Sequence, residues 1–173
     1  MDEFPKLVAM VGLARSGKST FVRDFYIPHG YAAVSPDMVR RVVHGRSYLE
    51  SSEYIVWGIV YAMADTLLAM GNRVVIDSTN ITRHRRETWL KRGAVFHWVD
   101  TPFEICLQRG QSQANACDIV PTIRHMQIEF EPLGEDEPRW SPPSSLIPLM
   151  EETDAVLAPA DQGVGDTPLP SGG

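Results

Sequence analysis

A chain of 173 residues, 43% hydrophobic and 22% charged, has the length of one domain, about 100 to 200 residues, and can bury a core without a disulfide or metal staple. No apolar run approaches the roughly 18 residues of a membrane span. Two acids precede the first apolar run, where a secretory signal carries cations. Cys106 and Cys117, the only cysteines, fit free thiols in a reducing cytoplasm. The net charge of -6 is uneven: residues 1–128 hold 15 Lys+Arg and 12 Asp+Glu (+3), whereas residues 129–173 hold one Arg and 10 acids (-9). The body is mildly basic, so charge excludes neither a phosphate-rich partner nor a neutral one.

LVAMV (7–11) is a short apolar run suited to a strand buried on both faces. A glycine-containing loop follows, then KSTFVRDFYI (18–27) with helical spacing. YAAVS (31–35) reads as a second strand. Ser35 is placed as N-cap, Pro36 as first helical residue and Gly45 as stop for the helix that follows. A longer helix is expected from about Ser52 to Met70, ended by Gly71, and RVVID (73–77) as the third strand. TRHRRETWLKRG (82–93) reads as a basic helix, AVFHWV (94–99) as the fourth strand, and 102–110 and 121–131 as two more helices. Strands alternating with helices predict an α/β three-layer sandwich, a parallel sheet with helices on both faces. From about residue 132 the text turns acidic and rich in proline. The organisation expected is a body over 1–132, an acidic part over 133–160 with one last strand at 153–160, and a flexible tail over 161–173.

Gly12-Leu-Ala-Arg-Ser-Gly17-Lys18-Ser19 fits G-x-x-x-x-G-K-[ST]. Glycines let successive backbone N–H groups turn inward onto phosphate oxygens, Lys18 reaches the β and γ phosphates, and the Ser19 hydroxyl faces Mg²⁺. The following helix aims its positive end at the same anion. The motif lies between an expected strand and an expected helix, which is the context it requires. This predicts binding of a nucleoside triphosphate by Gly12, Arg15, Ser16, Gly17, Lys18, Ser19 and Thr20, and the fold of a P-loop NTPase. Asp77 ends the third strand, where a carboxylate holds a metal-bound water in this fold; the plainer reading is an Asp capping a turn.

Together, GLARSGKST, SPDMVR, VVIDSTNITRHRRETW, FEICLQRG and VPTIRHM with FEP resemble the polynucleotide kinase-like branch of P-loop kinases over residues 7–132. The resemblance implies a kinase using ATP and Mg²⁺. It implies that Asp37 accepts the proton of an attacking hydroxyl and that Arg40 contacts the acceptor's phosphate. It implies that Ser78, Thr79 and Asn80 border the acceptor site, and that Arg109 closes over the nucleotide phosphates as a lid arginine. From spacing alone, Asp37 and Arg40 share one helical face; Asp37 also suits a helix N-terminus and Arg40 a surface. Arg85 and Arg86 hold the turn, meet acceptor phosphates, or form a solvated basic face. The family lid commonly has a second arginine four residues after the first; here Gln113 stands at that place, which puts the family's usual acceptor in doubt.

Two nucleic-acid acceptors follow from the resemblance: a 5′-hydroxyl end, or the hydroxymethyl group of a modified pyrimidine in DNA, as in phage relatives, whose setting would be the host cytoplasm. A base within a duplex would have to be flipped out. A small sugar acid or antibiotic hydroxyl, and a non-catalytic ATP-binding module, are the alternatives. Tyr54, Trp57 and Tyr61 form either a stacking platform or a core stripe. His44, His84, His97 and His125 have no metal-ligand spacing, and Cys106 is expected to pack. Nothing in the sequence fixes an oligomeric state.

Overall fold

The computed structural model describes residues 4–146; the strand expected at 153–160 and the tail at 161–173 lie outside them. Four strands, β1 (Leu7–Val11), β2 (Tyr31–Val34), β3 (Arg73–Ile76) and β4 (Val95–Trp98), form one sheet in the order β2-β3-β1-β4. Every pairing is parallel, with Ala9 opposite Ile76 and Phe96, and Val34 opposite Ile76. All four strands therefore end on one edge of the sheet, where ligands of open α/β sheets bind.

β1 has no polar residue because both of its faces are covered. Leu7, Ala9 and Val11 pack with Val56, Val60 and Ala64 of α3 (Glu53–Ala69), Val39 of α2 (Pro36–His44) and Trp89 of α4 (Arg83–Leu90). Val8 and Met10 face Val22, Phe25 and Tyr26, which follow α1 (Lys18–Phe21) in a wider π-type turn, Val22–Tyr26. That wider turn buries two sequence neighbours, Phe25 and Tyr26, together. On β4, His97 is buried and shares a 2.8 Å hydrogen bond with the Tyr26 hydroxyl.

α5 (Phe103–Gln111) and α6 (Ala116–Glu129) pack through Cys106 and Ile123 onto Leu13 of the glycine loop. α6 starts five residues before the expected Pro121, which lies inside it. Proline signals a helix start because it lacks an N–H; within a helix it also crowds the carbonyl one turn earlier, and here the packing of α6 on α5 through Ile123 outweighs that cost. The segment between α5 and α6, which carries Gln113, is consequently a short turn over residues 112–115.

The acidic, proline-rich segment joins the same core as far as Trp140. Leu133 is buried with the α3 cluster, and Trp140 packs near Phe4, Tyr26 and His97. Arg139 pairs in parallel with Phe96, through Phe96 N–H donating to Pro138 O at 2.8 Å and Trp140 N–H to Phe96 O at 3.0 Å. No helix among the described residues is long and apolar enough to cross a membrane.

Candidate active site

The glycine loop leaves β1 at the sheet's carboxyl edge. Gly12 has φ +146, and a Cβ there would lie 2.8 Å from Val99 O and 2.9 Å from Ser16 Oγ. Gly17 (φ +99) and Arg15 (φ 66) are also left-handed, so the chain curls tightly ahead of α1. Two bonds from other loops hold it: Gly12 N–H donates to Thr79 O at 3.0 Å, and Thr101 Oγ1 donates to Ser16 O at 2.7 Å. A side chain at position 12 would collide with Val99 O and Ser16 Oγ, so only glycine allows this curl, which fits a phosphate-binding backbone.

Lys18 is buried, and its Nζ donates to Leu13 O (2.5 Å) and Ser16 Oγ (3.1 Å). Burial lowers its pKa to about 8, although Asp77, Cys106 and Asp37 pull it up. The Asp77 pKa is pushed up by burial, against the pull of the Ser19 hydroxyl and of Lys18, and is pushed further up by Asp37. Lys18, Ser19 and Asp77 therefore lie together, with Asp37 near enough to add to the field at Lys18 and Asp77. Among the described residues no cluster of three or more His, Cys, Asp or Glu forms a metal cage. Mg²⁺ does not require one, since it commonly keeps its waters and takes one or two protein oxygens plus phosphate. Ser19 and Asp77, whose side chains interact, would offer oxygens of this kind.

Asp37 lies in the first turn of α2 with its side chain 75% exposed, and Arg40 Nη1 donates to its Oδ1 at 2.5 Å. Ser35 makes no side-chain cap, while Pro36 opens the helix and Gly45 (φ 70) ends it. Arg40 also grips Glu53 at the start of α3, Nε to Oε1 at 2.8 Å and Nη2 to Oε2 at 2.7 Å. Its guanidinium lies 5.9 Å from the Tyr48 ring centroid. Arg40 is therefore engaged by two carboxylates, and the expected phosphate contact would have to compete with Glu53.

Arg109, exposed near the end of α5, reaches over the glycine loop: its Nη1 donates to Arg15 O at 3.3 Å and lies 3.9 Å from where a Gly17 Cβ would be. Thr20 occupies the first helical turn after Lys18. Ser78 has a buried hydroxyl without a hydrogen-bond partner among the described residues. Asn80 turns inward: it adopts φ 42, is 1% exposed, and its Nδ2 donates to Met10 O at 2.8 Å. Asn80 thus ties the turn to β1, and its amide nitrogen is not turned toward an acceptor. Arg85 lies 5.1 Å from the Trp57 ring centroid. Arg86 is the arginine that holds the turn, fully buried against Asn80 O and Ile81 O. Trp57 and Tyr61 pack onto the core, Tyr61 under Arg92, while Tyr54 is exposed; the aromatic stripe is core at two positions of three.

Sequence reasoning missed Glu53 and Thr101. Glu53 stands 13 residues from Arg40, a distance no helical spacing connects, and Thr101 contacts the loop from the end of another strand.

Sheet order, loop and helices define an α/β protein of the P-loop NTPase type, with the fold of P-loop kinases. A family profile described as AAA domain matches residues 7–132, and the chain belongs to that family. It is similar to a chain in the structure of the Pnkp1/Rnl/Hen1 complex, with 29% identity and TM-score 0.55, over 63% of this chain and 40% of that one. It also resembles a gluconokinase from Sinorhizobium meliloti 1021 (18% identity, TM-score 0.56, 79% of this chain and 81% of that one). A sugar kinase from Janibacter sp. HTCC2649 is similar at 16% identity, TM-score 0.60, over 83% and 91%. The chain spans 40% and 48% of two chains in Pnkp1/Rnl/Hen1 complexes, less than half the length of each.

Proposed function

We propose that the protein is a kinase that transfers the γ-phosphate of ATP to a hydroxyl on a nucleic acid or nucleotide. The observation that carries this reading is the position of Asp37. It lies in the first turn of α2, directly after β2, at the same carboxyl edge of the sheet from which the glycine loop leaves β1, so an exposed carboxylate, a suitable general base, stands on the phosphate-binding side of the sheet. In the reaction the acceptor oxygen bonds to the γ-phosphorus, the bond to the bridging β–γ oxygen breaks, ADP leaves, and Asp37 takes the hydroxyl proton. Lys18 and Arg109 stabilise charge on the transferring group. Mg²⁺, bound through Ser19 and an Asp77-held water, would neutralise phosphate charge. Ser78, Thr79 and Arg85 border the acceptor side, with a 5′-hydroxyl end or a hydroxymethyl pyrimidine as acceptors.

The similarity at 29% identity to a chain of a Pnkp1/Rnl/Hen1 complex, an assembly that a second similar structure (23% identity) describes as an RNA repair complex, supports a nucleic-acid acceptor. A second reading, a small-metabolite kinase, is favoured by the hold of Glu53 on Arg40, which leaves less charge for an acceptor phosphate. Arg40→Ala does not separate the two, because Arg40 also steadies Asp37. Labelled transfer does. The protein is incubated with γ-labelled ATP, Mg²⁺ and a 5′-hydroxyl oligonucleotide, a 5′-blocked duplex containing hydroxymethyluracil, or a mixture of hydroxyl metabolites, with Asp37→Ala as control. Asp37-dependent label on either oligonucleotide is expected. Label on metabolites alone overturns the nucleic-acid reading, and nucleotide binding without any transfer makes the protein a non-catalytic module.

A further inference from the structure

The most heavily bonded side chain outside the phosphate cradle is Arg86. It has no exposed surface, and neither has its partner Glu137 beyond 1% of the side chain. Nε and Nη2 donate to the two Glu137 oxygens at 2.6 and 3.1 Å. Nη1 donates to Asn80 O, Ile81 O and Glu131 O at 3.1, 3.0 and 2.9 Å, and Nη2 also to Pro132 O at 3.1 Å. Glu137 further accepts Gly134 N–H at 2.7 Å. Burial disfavours its ionised form, but Arg86 and Gly134 hold its pKa below the ordinary carboxylate value.

Both ends of this pair lead to the site. The turn it grips continues from Asp77, and from the same turn Thr79 O accepts Gly12 N–H and Asn80 Nδ2 reaches Met10 O. At the other end, Glu137 precedes Pro138–Trp140, which bonds to β4. The turn is thus fixed between the glycine loop and the sheet's outer strand. A buried ion pair is weak evidence for stability, because well-packed apolar residues often serve as well. Its bonds to the carbonyls of one particular turn give it a geometric role.

We infer that Arg86 and Glu137 are positioning residues, a buried strut that sets the Asp77–Asn80 turn against the glycine loop and so places Asp77 opposite Ser19. The inference rests on the nucleotide-binding reading above. With the strut broken, Asp77 keeps its N–H bond to Val34 O (2.9 Å) but the turn that follows it can shift against the glycine loop, so the Asp77 side chain is less firmly aimed at Ser19 and the metal-dependent part of nucleotide binding weakens while the backbone cradle persists.

The test measures displacement of a fluorescent ATP analogue in EDTA and across a Mg²⁺ titration, alongside melting temperature. The proteins are wild type, Glu137→Gln and the paired variant Arg86→Met/Glu137→Leu, which removes both charges together and keeps the test valid if Glu137→Gln does not fold. Leu68→Ala, on the far part of α3, is the destabilised control. The strut predicts affinity in EDTA within about threefold of wild type for the strut variants, with at least a tenfold rise in the Mg²⁺ concentration needed for half-maximal enhancement. Leu68→Ala should lower the melting temperature without that shift. An unchanged Mg²⁺ requirement in a folded strut variant, or the same shift in Leu68→Ala, overturns the inference. Failure of wild type to bind the analogue overturns the nucleotide reading itself, and the inference with it.

Discussion

Lys18 must be protonated to hold a phosphate, and its pKa of about 8 in the free protein makes that state dependent on pH. A bound phosphate favours the ammonium and raises this pKa, so binding takes up a proton near pH 8. ATP affinity is therefore expected to be constant below about pH 7.5 and to fall towards tenfold per unit above pH 8.5. Calorimetry in buffers of different ionisation enthalpy would show the proton uptake, and a flat profile to pH 9.5 would contradict the burial of Lys18. His97 gives the opposite window. Burial lowers its pKa to about 4, below the ordinary 6.5, so the unfolded chain binds the extra proton between those values and stability is lost as pH falls through 6.5. From pH 7 to 5 wild type should lose about 2 kcal/mol more than His97→Asn, measured by urea unfolding. Gly12→Ala meets both a clash and a left-handed backbone; a cost of about 2 to 4 kcal/mol is expected, together with loss of nucleotide binding.

Elements carry these residues into register, and one glycine shows how closely. A Cβ on Gly110 of α5 would lie 2.7 Å from Ile123 Cδ1 of α6. Gly110→Ala should cost about 1 to 3 kcal/mol, eased if the Ile123 tip rotates. Because Arg109 is the neighbouring residue, transfer activity should fall more than ATP binding; equal losses would point to general destabilisation. The alternation of short apolar runs with helical periods made the sheet and most helix limits legible in the sequence, since burial on both faces leaves few other patterns for β1. The basic helix α4 was not legible in the same way. Adjacent arginines look alike in a sequence, yet Arg85 lies over Trp57 at the surface while Arg86 is buried, because which one faces the core depends on the helix's rotation against β3 and β4. The role expected of Asp37 comes from the family resemblance, whereas the glycine loop could be read from local spacing. Glu53, Thr101 and Glu137 could not, because each meets the site from a distant part of the chain.

For the molecule as a whole, the division of charge between body and C-terminal part takes on a different meaning. Asp136 and Glu137 pair with Arg83 and Arg86 of the basic helix, so part of the acidic excess is an internal counter-charge. Ending the chain at residue 132 would remove Glu137, the cover it gives Arg86 and the buried Leu133; losing the carboxylate alone costs about 3 to 5 kcal/mol where the guanidinium stays buried. Such a truncation is expected to unfold at clearly lower urea concentration than the full chain, although it retains every residue assigned to phosphate transfer. An unchanged midpoint would show that Glu137 is dispensable to folding.

The rung at Arg139 has one more consequence. β4 is an outer strand whose free side would present unpaired N–H and C=O groups, the kind of border on which a second copy can add itself. Phe96 closes that border with the protein's own Pro138 and Trp140. The segment that props the site therefore also covers this part of the β4 border, and a chain clipped between Pro132 and Pro138 would be expected to self-associate more readily than the intact chain.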